Sequence, residues 1–209
     1  GCVGVYLAFQ GNFQGAFIAV IVSAVFDFFD GFAARLLKAY SPMGKELDSL
    51  ADVVSFGVLP GAMVFSLLSK TSINEWLPYV AFIIPVFSGL RLAKFNIDER
   101  QTSSFIGLPT PANAIFWGGL ILSFESFLSS YTWLLIILIL LFSYLLVAEI
   151  PMFSLKFKNY AWKSNQTQYL FLIGCAVILA FFQLSAFPIL IGWYIALSIG
   201  LSVFQKSKV

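Results

Sequence analysis

Asp27 and Asp30 stand three residues apart, Asp48 and Asp52 stand four apart, and a short segment joins the two pairs. On a helix, both spacings put the partners on one face. The setting makes them unusual: the 209-residue chain is 60% hydrophobic and only 11% charged. An aspartate at membrane depth costs about 2.5–3.5 kcal/mol or more, so such a group marks a functional site by default. Four together need a counter-charge, and a metal ion supplies it economically. Between the pairs, Ser41 reads as an N-cap and Pro42 as a first helical residue, so one helix ends near Tyr40 and the next begins at Pro42. A hairpin this tight lays the two acidic faces together, and all four side chains can converge on one or two divalent cations. Hard oxygen donors, with no His and only two Cys in the chain, suit Mg²⁺, Mn²⁺ or Ca²⁺ rather than zinc.

Small residues accompany the carboxylates. Gly31 and Ala34 lie about one turn apart and leave a groove in which a flat ligand can approach the backbone. Arg35, just beyond, can grip a phosphate in a fork geometry. The same glycine and alanine would also serve close packing of membrane helices. Set among four aspartates and an arginine, the ligand groove is the favoured reading. A second basic segment, Arg91-Leu92-Ala93-Lys94-Phe95-Asn96, precedes the Phe105–Pro111 elbow. Arg91 comes before the loop proper, so it is expected just inside the membrane, pointing at the carboxylates.

The elements that must position these residues are membrane helices. Mean hydropathy is +0.92, and uncharged runs cover 1–26, 53–69, 76–90, 101–124, 126–148 and 164–205. The last is long enough for two spans of about 20 residues, with a turn at 185–188. The pattern predicts an all-α polytopic transmembrane bundle of about eight helices: 1–9, 14–39, 42–69, 75–97, 110–128, 131–150, 166–183 and 187–205. The third should be interrupted at Pro60, with Gly57 and Gly61 packed on a neighbour, and Pro85 should bend the fourth. Residues 1–9 make only about 13 Å of helix against a hydrocarbon core of roughly 30 Å. The first span is therefore expected to be truncated, with a cleaved signal peptide as the alternative. A single domain, 1–209, is expected. Cys2 and Cys175 form no disulfide framework or metal motif.

Eight helices with both ends on one side gather Arg35, Lys38, Lys45, Arg91, Lys94, Arg100, Lys156, Lys158, Lys163, Lys206 and Lys208 at one face and leave only Lys70 at the other. By the positive-inside rule that face is cytoplasmic, and the aspartate hairpin lies at it. The net charge of +2 gives no reason to expect a nucleic-acid partner.

The pattern Asp27-x2-Asp30-Gly31-x2-Ala34-Arg35-x8-Gly44-x3-Asp48-x3-Asp52 resembles, at every fixed position, the signature of the CDP-alcohol phosphotransferase family. At average residue usage it would arise by chance about once in 10⁹–10¹⁰ starting positions. The segments 47–58, 91–96 and 105–111 are similar to the phosphatidylserine synthase branch, and the resemblance runs over roughly 10–125. It implies that CDP-diacylglycerol and L-serine are the substrates and phosphatidylserine and CMP the products. It also implies a bacterial-type inner membrane, a homodimer, and a divalent metal, two ions of Mg²⁺ or Mn²⁺ (or Ca²⁺). By the same resemblance Asp27, Asp30 and Asp48 are metal ligands, Asp52 is a ligand or the general base, and Gly31, Ala34, Arg35 and Gly44 line the CDP site.

Displacing CMP from a pyrophosphate develops charge that metal ions clamp, and serine's hydroxyl needs a base. Without histidine, a carboxylate or a metal-polarised hydroxyl must serve, and Asp52 is the expected base. Serine's carboxylate needs a cation, for which Arg91 is best placed, with Lys94 and Asn96 behind it. Other acceptors within the family would be glycerol 3-phosphate, inositol phosphate or choline. From another class, a cation transporter also carries intramembrane carboxylates. Here, however, the aspartates crowd one end of one hairpin, and no second broken-helix pair mirrors them.

Overall fold

Ser41 and Pro42 start the helix that carries Asp48 and Asp52. The Ser41 side chain accepts a hydrogen bond from the Gly44 N–H at 3.0 Å, and Pro42, which has no N–H to satisfy, follows directly. The computed structural model describes residues 1–38, 41–71, 74–98, 105–154, 161–162 and 165–206. Arg100, Lys156, Lys158, Lys163 and Lys208, counted above, lie outside these residues, as do the side chains of Arg35 and Lys206.

The helices are α1 (Cys2–Phe9), α2 (Phe13–Leu37), α3 (Pro42–Asp52), α4 (Leu59–Thr71), α5 (Ile83–Ile97), α6 (Thr110–Ser130), α7 (Thr132–Val147), α8 (Gln166–Phe182) and α9 (Ala186–Lys206). A π-turn, Val53–Val58, joins α3 to α4, so the described residues form the eight rods expected. The stretches 13–34, 42–71, 77–97 and 166–203 are long and apolar enough to cross a membrane, and α7 is a shorter apolar helix. The chain is an all-α polytopic helical protein.

Buried side chains concentrate along α4 and α6. Leu59, Met63, Leu67, Trp117 and Ile121 are fully enclosed, with Ile84 of α5 and Leu135 and Ile139 of α7 against them. Phe17 of α2 meets Phe187 of α9 edge to face, ring centroids 5.0 Å apart. Gly118 admits the Phe17 ring to the α6 backbone, and Gly119 admits Phe187 and Pro188. Lys70 lies at the end remote from the aspartates, its Nζ 4.6 Å from the Phe13 ring at the start of α2.

Several boundaries differ from expectation. The interruption of the third rod lies ahead of Pro60, where the Leu59 N–H reaches back five residues to the Val54 carbonyl. Proline has no N–H for the Phe56 carbonyl and crowds it, which favours a widened turn there. The fourth rod opens as a 3-10 turn, Leu77–Phe82, before Pro85. α2 ends at Leu37, where Lys38 takes a positive φ of 51°. The last two rods part at Gln183–Ser185, ahead of the expected turn. α6 breaks its helical backbone at Phe124, which the sequence did not signal.

α7 stops at Val147 instead of running to 150, because the chain turns extended and pairs with the elbow before α6. There β1 (Phe105–Ile106) and β2 (Pro151–Met152) form a short antiparallel ribbon, Phe105 opposite Met152 and Ile106 opposite Pro151. Gly107 continues it by donating to the Ile150 carbonyl at 2.9 Å. Its φ of 78° and the backbone of Leu146 against it leave no room for a Cβ.

Gly57 and Gly61 pack on α5 as expected, against Ser88 and Pro85. A Cβ at Gly57 would stand 2.9 Å from the Ser88 Cβ and 3.3 Å from the Pro85 Cα. Gly57→Leu should therefore overpack the α4–α5 contact and lower Tm in detergent by about 4–10 °C. An unchanged Tm would show that the two helices are not in tight contact there.

Candidate active site

Asp27 and Asp30 precede the end of α2 by about three and two turns, and Asp48 and Asp52 follow the start of α3 by about two and three. Across the hairpin, Asp30 is therefore level with Asp48, and Asp27 with Asp52. Asp27, Asp30 and Asp48 each offer a carboxylate oxygen, and these oxygens all lie within 4.8 Å of one another. Asp27 is half-buried, and Asp30 and Asp48 are exposed. Among the described residues, no Lys or Arg lies within 4.0 Å of any of the four aspartates. Two like charges at this spacing repel by about 3–4 kcal/mol at an effective dielectric of about 20, less where water screens them.

Trans oxygens on an octahedral Mg²⁺ stand about 4.2 Å apart, and those around the larger Ca²⁺ about 4.6–5.2 Å. The triad thus has the donor chemistry and the spacing for one hard cation. Asp52 falls outside it. Half-buried, it lies within electrostatic reach of Asp27, Asp48 and Asp30 on one hand and of Arg91 on the other.

Arg91 is the buried cation of the site, only 6% exposed. Its guanidinium carbon sits 5.2 Å from the centre of the Phe95 ring and 5.9 Å from that of Phe105, so the ribbon helps form its pocket. Nε has no hydrogen-bond partner, and among the described residues Arg91 makes no ion pair. Tyr194 of α9 lies within its electrostatic reach and donates its hydroxyl hydrogen bond to the Phe153 carbonyl at 3.0 Å. A lone tyrosine in an apolar helix gave no sequence signal for this position.

Lys94 and Asn96 have protein partners. Lys94 forms an ion pair with Glu149 and reaches the Val147 carbonyl at the end of α7, at 3.4 Å. Its charge caps a neighbouring helix. Asn96 donates its side-chain amide to Ser49 Oγ at 2.9 Å, and its backbone carbonyl accepts from Lys45 Nζ at 2.9 Å.

Of the signature's glycines, Gly31 has room around it and Gly44 packs against Ser41 Oγ. A Cβ at Gly31 would meet nothing within 4 Å. That open space favours a ligand groove over helix packing at this position. Ala34 is half-buried beside it on α2, and Gly44 lies exposed on the first turn of α3. The Arg35 side chain lies outside the described residues.

Proteins of similar sequence carry names that bear on this site. The chain is 38% identical over 115 residues to the CDP-diacylglycerol–serine O-phosphatidyltransferase of Bacillus subtilis (strain 168), covering 53% of this chain and 62% of that protein. It is 35% identical over 162 residues to the Mycobacterium leprae (strain TN) protein of the same name, covering 73% of this chain and 53% of that one. It is also 38% identical over 117 residues to the one from Methanocaldococcus jannaschii, covering 56% and 53%. The chain thus spans little more than half the length of these relatives. A model of the CDP-alcohol phosphatidyltransferase family matches residues 2–148, which include the whole aspartate hairpin, Arg91 and the ribbon's first strand. The chain belongs to the CDP-alcohol phosphatidyltransferase family.

Proposed function

We propose that this protein transfers the phosphatidyl group of CDP-diacylglycerol to the hydroxyl of L-serine, releasing CMP, at the cytoplasmic face of a bacterial-type inner membrane. The observation that carries this reading is the buried Arg91, which makes no ion pair among the described residues and lies within electrostatic reach of Asp52, together with three carboxylates at cation-chelating spacing. The names of the relatives support serine as acceptor. The eleven-to-one partition of basic residues supports the cytoplasmic side.

Asp27, Asp30 and Asp48 would hold the divalent cation, Mg²⁺ or Mn²⁺, with Asp52 the fourth oxygen donor if a second ion binds. Bound there, the cation would neutralise charge developing on the pyrophosphate. The open space at Gly31 would receive the CDP moiety, with Ala34, Arg35 and Gly44 completing its site. Arg91 would take serine's carboxylate in a bidentate grip. That orients the hydroxyl toward Asp52, which accepts its proton as the oxygen bonds to the diacylglycerol-linked phosphorus. The bond from that phosphorus to the CMP oxygen breaks, and CMP leaves with the electron pair. Lys94 and Asn96, engaged by Glu149 and Ser49, fit the acceptor role less well than Arg91. A homodimer follows from the family resemblance.

The direct test offers labelled CDP-diacylglycerol to the purified protein with each acceptor in turn. CMP release is expected with L-serine and not with glycerol 3-phosphate, inositol phosphate or choline. It should cease on chelation and return with Mg²⁺ or Mn²⁺. Ion flux without CMP release would favour a transporter instead. Asp52→Asn should lower kcat by about 10²–10⁴-fold while CDP-diacylglycerol still binds; retained turnover would remove Asp52 from the base role. Arg91→Ala should raise the KM for serine about 10- to 100-fold and leave that for CDP-diacylglycerol nearly unchanged. Equal increases in both would make Arg91 a structural residue.

A further inference from the structure

None of the residues of α3 is buried, so hydrophobic packing does not set its rotation. The π-turn that follows adds to this freedom. Its five-residue reach from Leu59 to Val54 amounts to one inserted residue, which shifts the helical register by about 100°. The tight packing of α4 on α5 is therefore not transmitted intact to the face of α3 that carries Asp48 and Asp52. Something else must aim these carboxylates at α2.

A closed ring of three hydrogen bonds is available for this. The Asn96 side-chain amide donates to Ser49 Oγ at 2.9 Å. Ser49 Oγ donates to the Lys45 carbonyl at 3.2 Å. Lys45 Nζ donates to the Asn96 carbonyl at 2.9 Å, where it also satisfies the end of α5. Among the described residues, every hydrogen bond that joins an α3 side chain to another helix runs to Asn96. Lys45 and Ser49 are four residues apart and form a row on α3 next to the Asp48 and Asp52 row. With the first row tied to α5, the second faces the aspartates of α2.

We propose that Lys45, Ser49 and Asn96 are positioning residues that hold α3 in the rotation at which Asp48 joins Asp27 and Asp30. Asn96 then serves the carboxylate cluster rather than the acceptor. This rests on the cation-binding part of the function proposed above and not on the identity of the acceptor.

Mn²⁺ binding to the purified full chain in detergent, followed by electron paramagnetic resonance, reads the cluster without any acceptor present. Asn96→Ala and Ser49→Ala should each weaken Mn²⁺ binding about three- to tenfold. The double variant should be no weaker than either single one, since opening the ring once releases it. Ser49→Thr, which keeps the hydroxyl, should restore binding. The KM for serine, measured at saturating Mn²⁺, should stay within about twofold of the parent. Wild-type Mn²⁺ affinity in Asn96→Ala with a raised serine KM would overturn the proposal and make Asn96 an acceptor contact. Additive losses in the double variant would overturn it as well. Should Asn96→Ala fail to fold, Lys45→Met opens the same ring from an exposed position and is expected to give the same loss.

Discussion

Three carboxylate oxygens within 4.8 Å of one another repel, and the chain holds them together with elements that put no Lys or Arg beside them among the described residues. Burial does not explain the cluster, since two of the three side chains are exposed. Its position comes from geometry. Two helices leave and enter one short hairpin, and each presents a carboxylate pair at matching distance from the bend. A divalent cation converts that repulsion into attraction, which is why the donor set and the spacing matter more than any single contact.

The protein separates rigidity from reactivity along its length. α4 and α6 form a dense interior around Trp117, Leu59 and Met63, and glycines bring α5, α2 and α9 into close contact with it. α3, which carries the other half of the cluster, has no fully buried residue and is connected to that interior by a widened turn. A helix so placed can be aimed independently of the core. Polar ties to the end of α5 then have more influence on it than packing does.

The last turns of α5 show how position, not residue type, decides a role. Arg91 points inward, lies against two aromatic rings and keeps an unsatisfied Nε, with Asp52 within electrostatic reach. Lys94, one turn on, is neutralised by Glu149 and caps α7. Asn96 turns to α3. One basic stretch thus reaches an aromatic pocket, the end of α7 and the side of α3. The β1–β2 ribbon completes the first by setting Phe105 beside Arg91.

Much of this was legible in the sequence because it depends on local periodicity. Eight apolar rods, the start of α3 at Ser41 and Pro42, and the shared faces of Asp27 with Asp30 and Asp48 with Asp52 all follow from helical spacing and capping. The helix conformation imposes both whatever surrounds it. The signature that marks the family is written in the same local code. The rest depended on partners far away in the chain. Glu149 lies 55 residues from Lys94, Ser49 lies 47 residues from Asn96, and the ribbon joins strands on either side of two helices. No spacing rule reaches across such intervals. The sequence determined which charged groups the membrane helices carry and on which face. Only the packed tertiary structure decided which of them neutralise one another and which, like Arg91 and the aspartate cluster, have no oppositely charged side chain against them among the described residues.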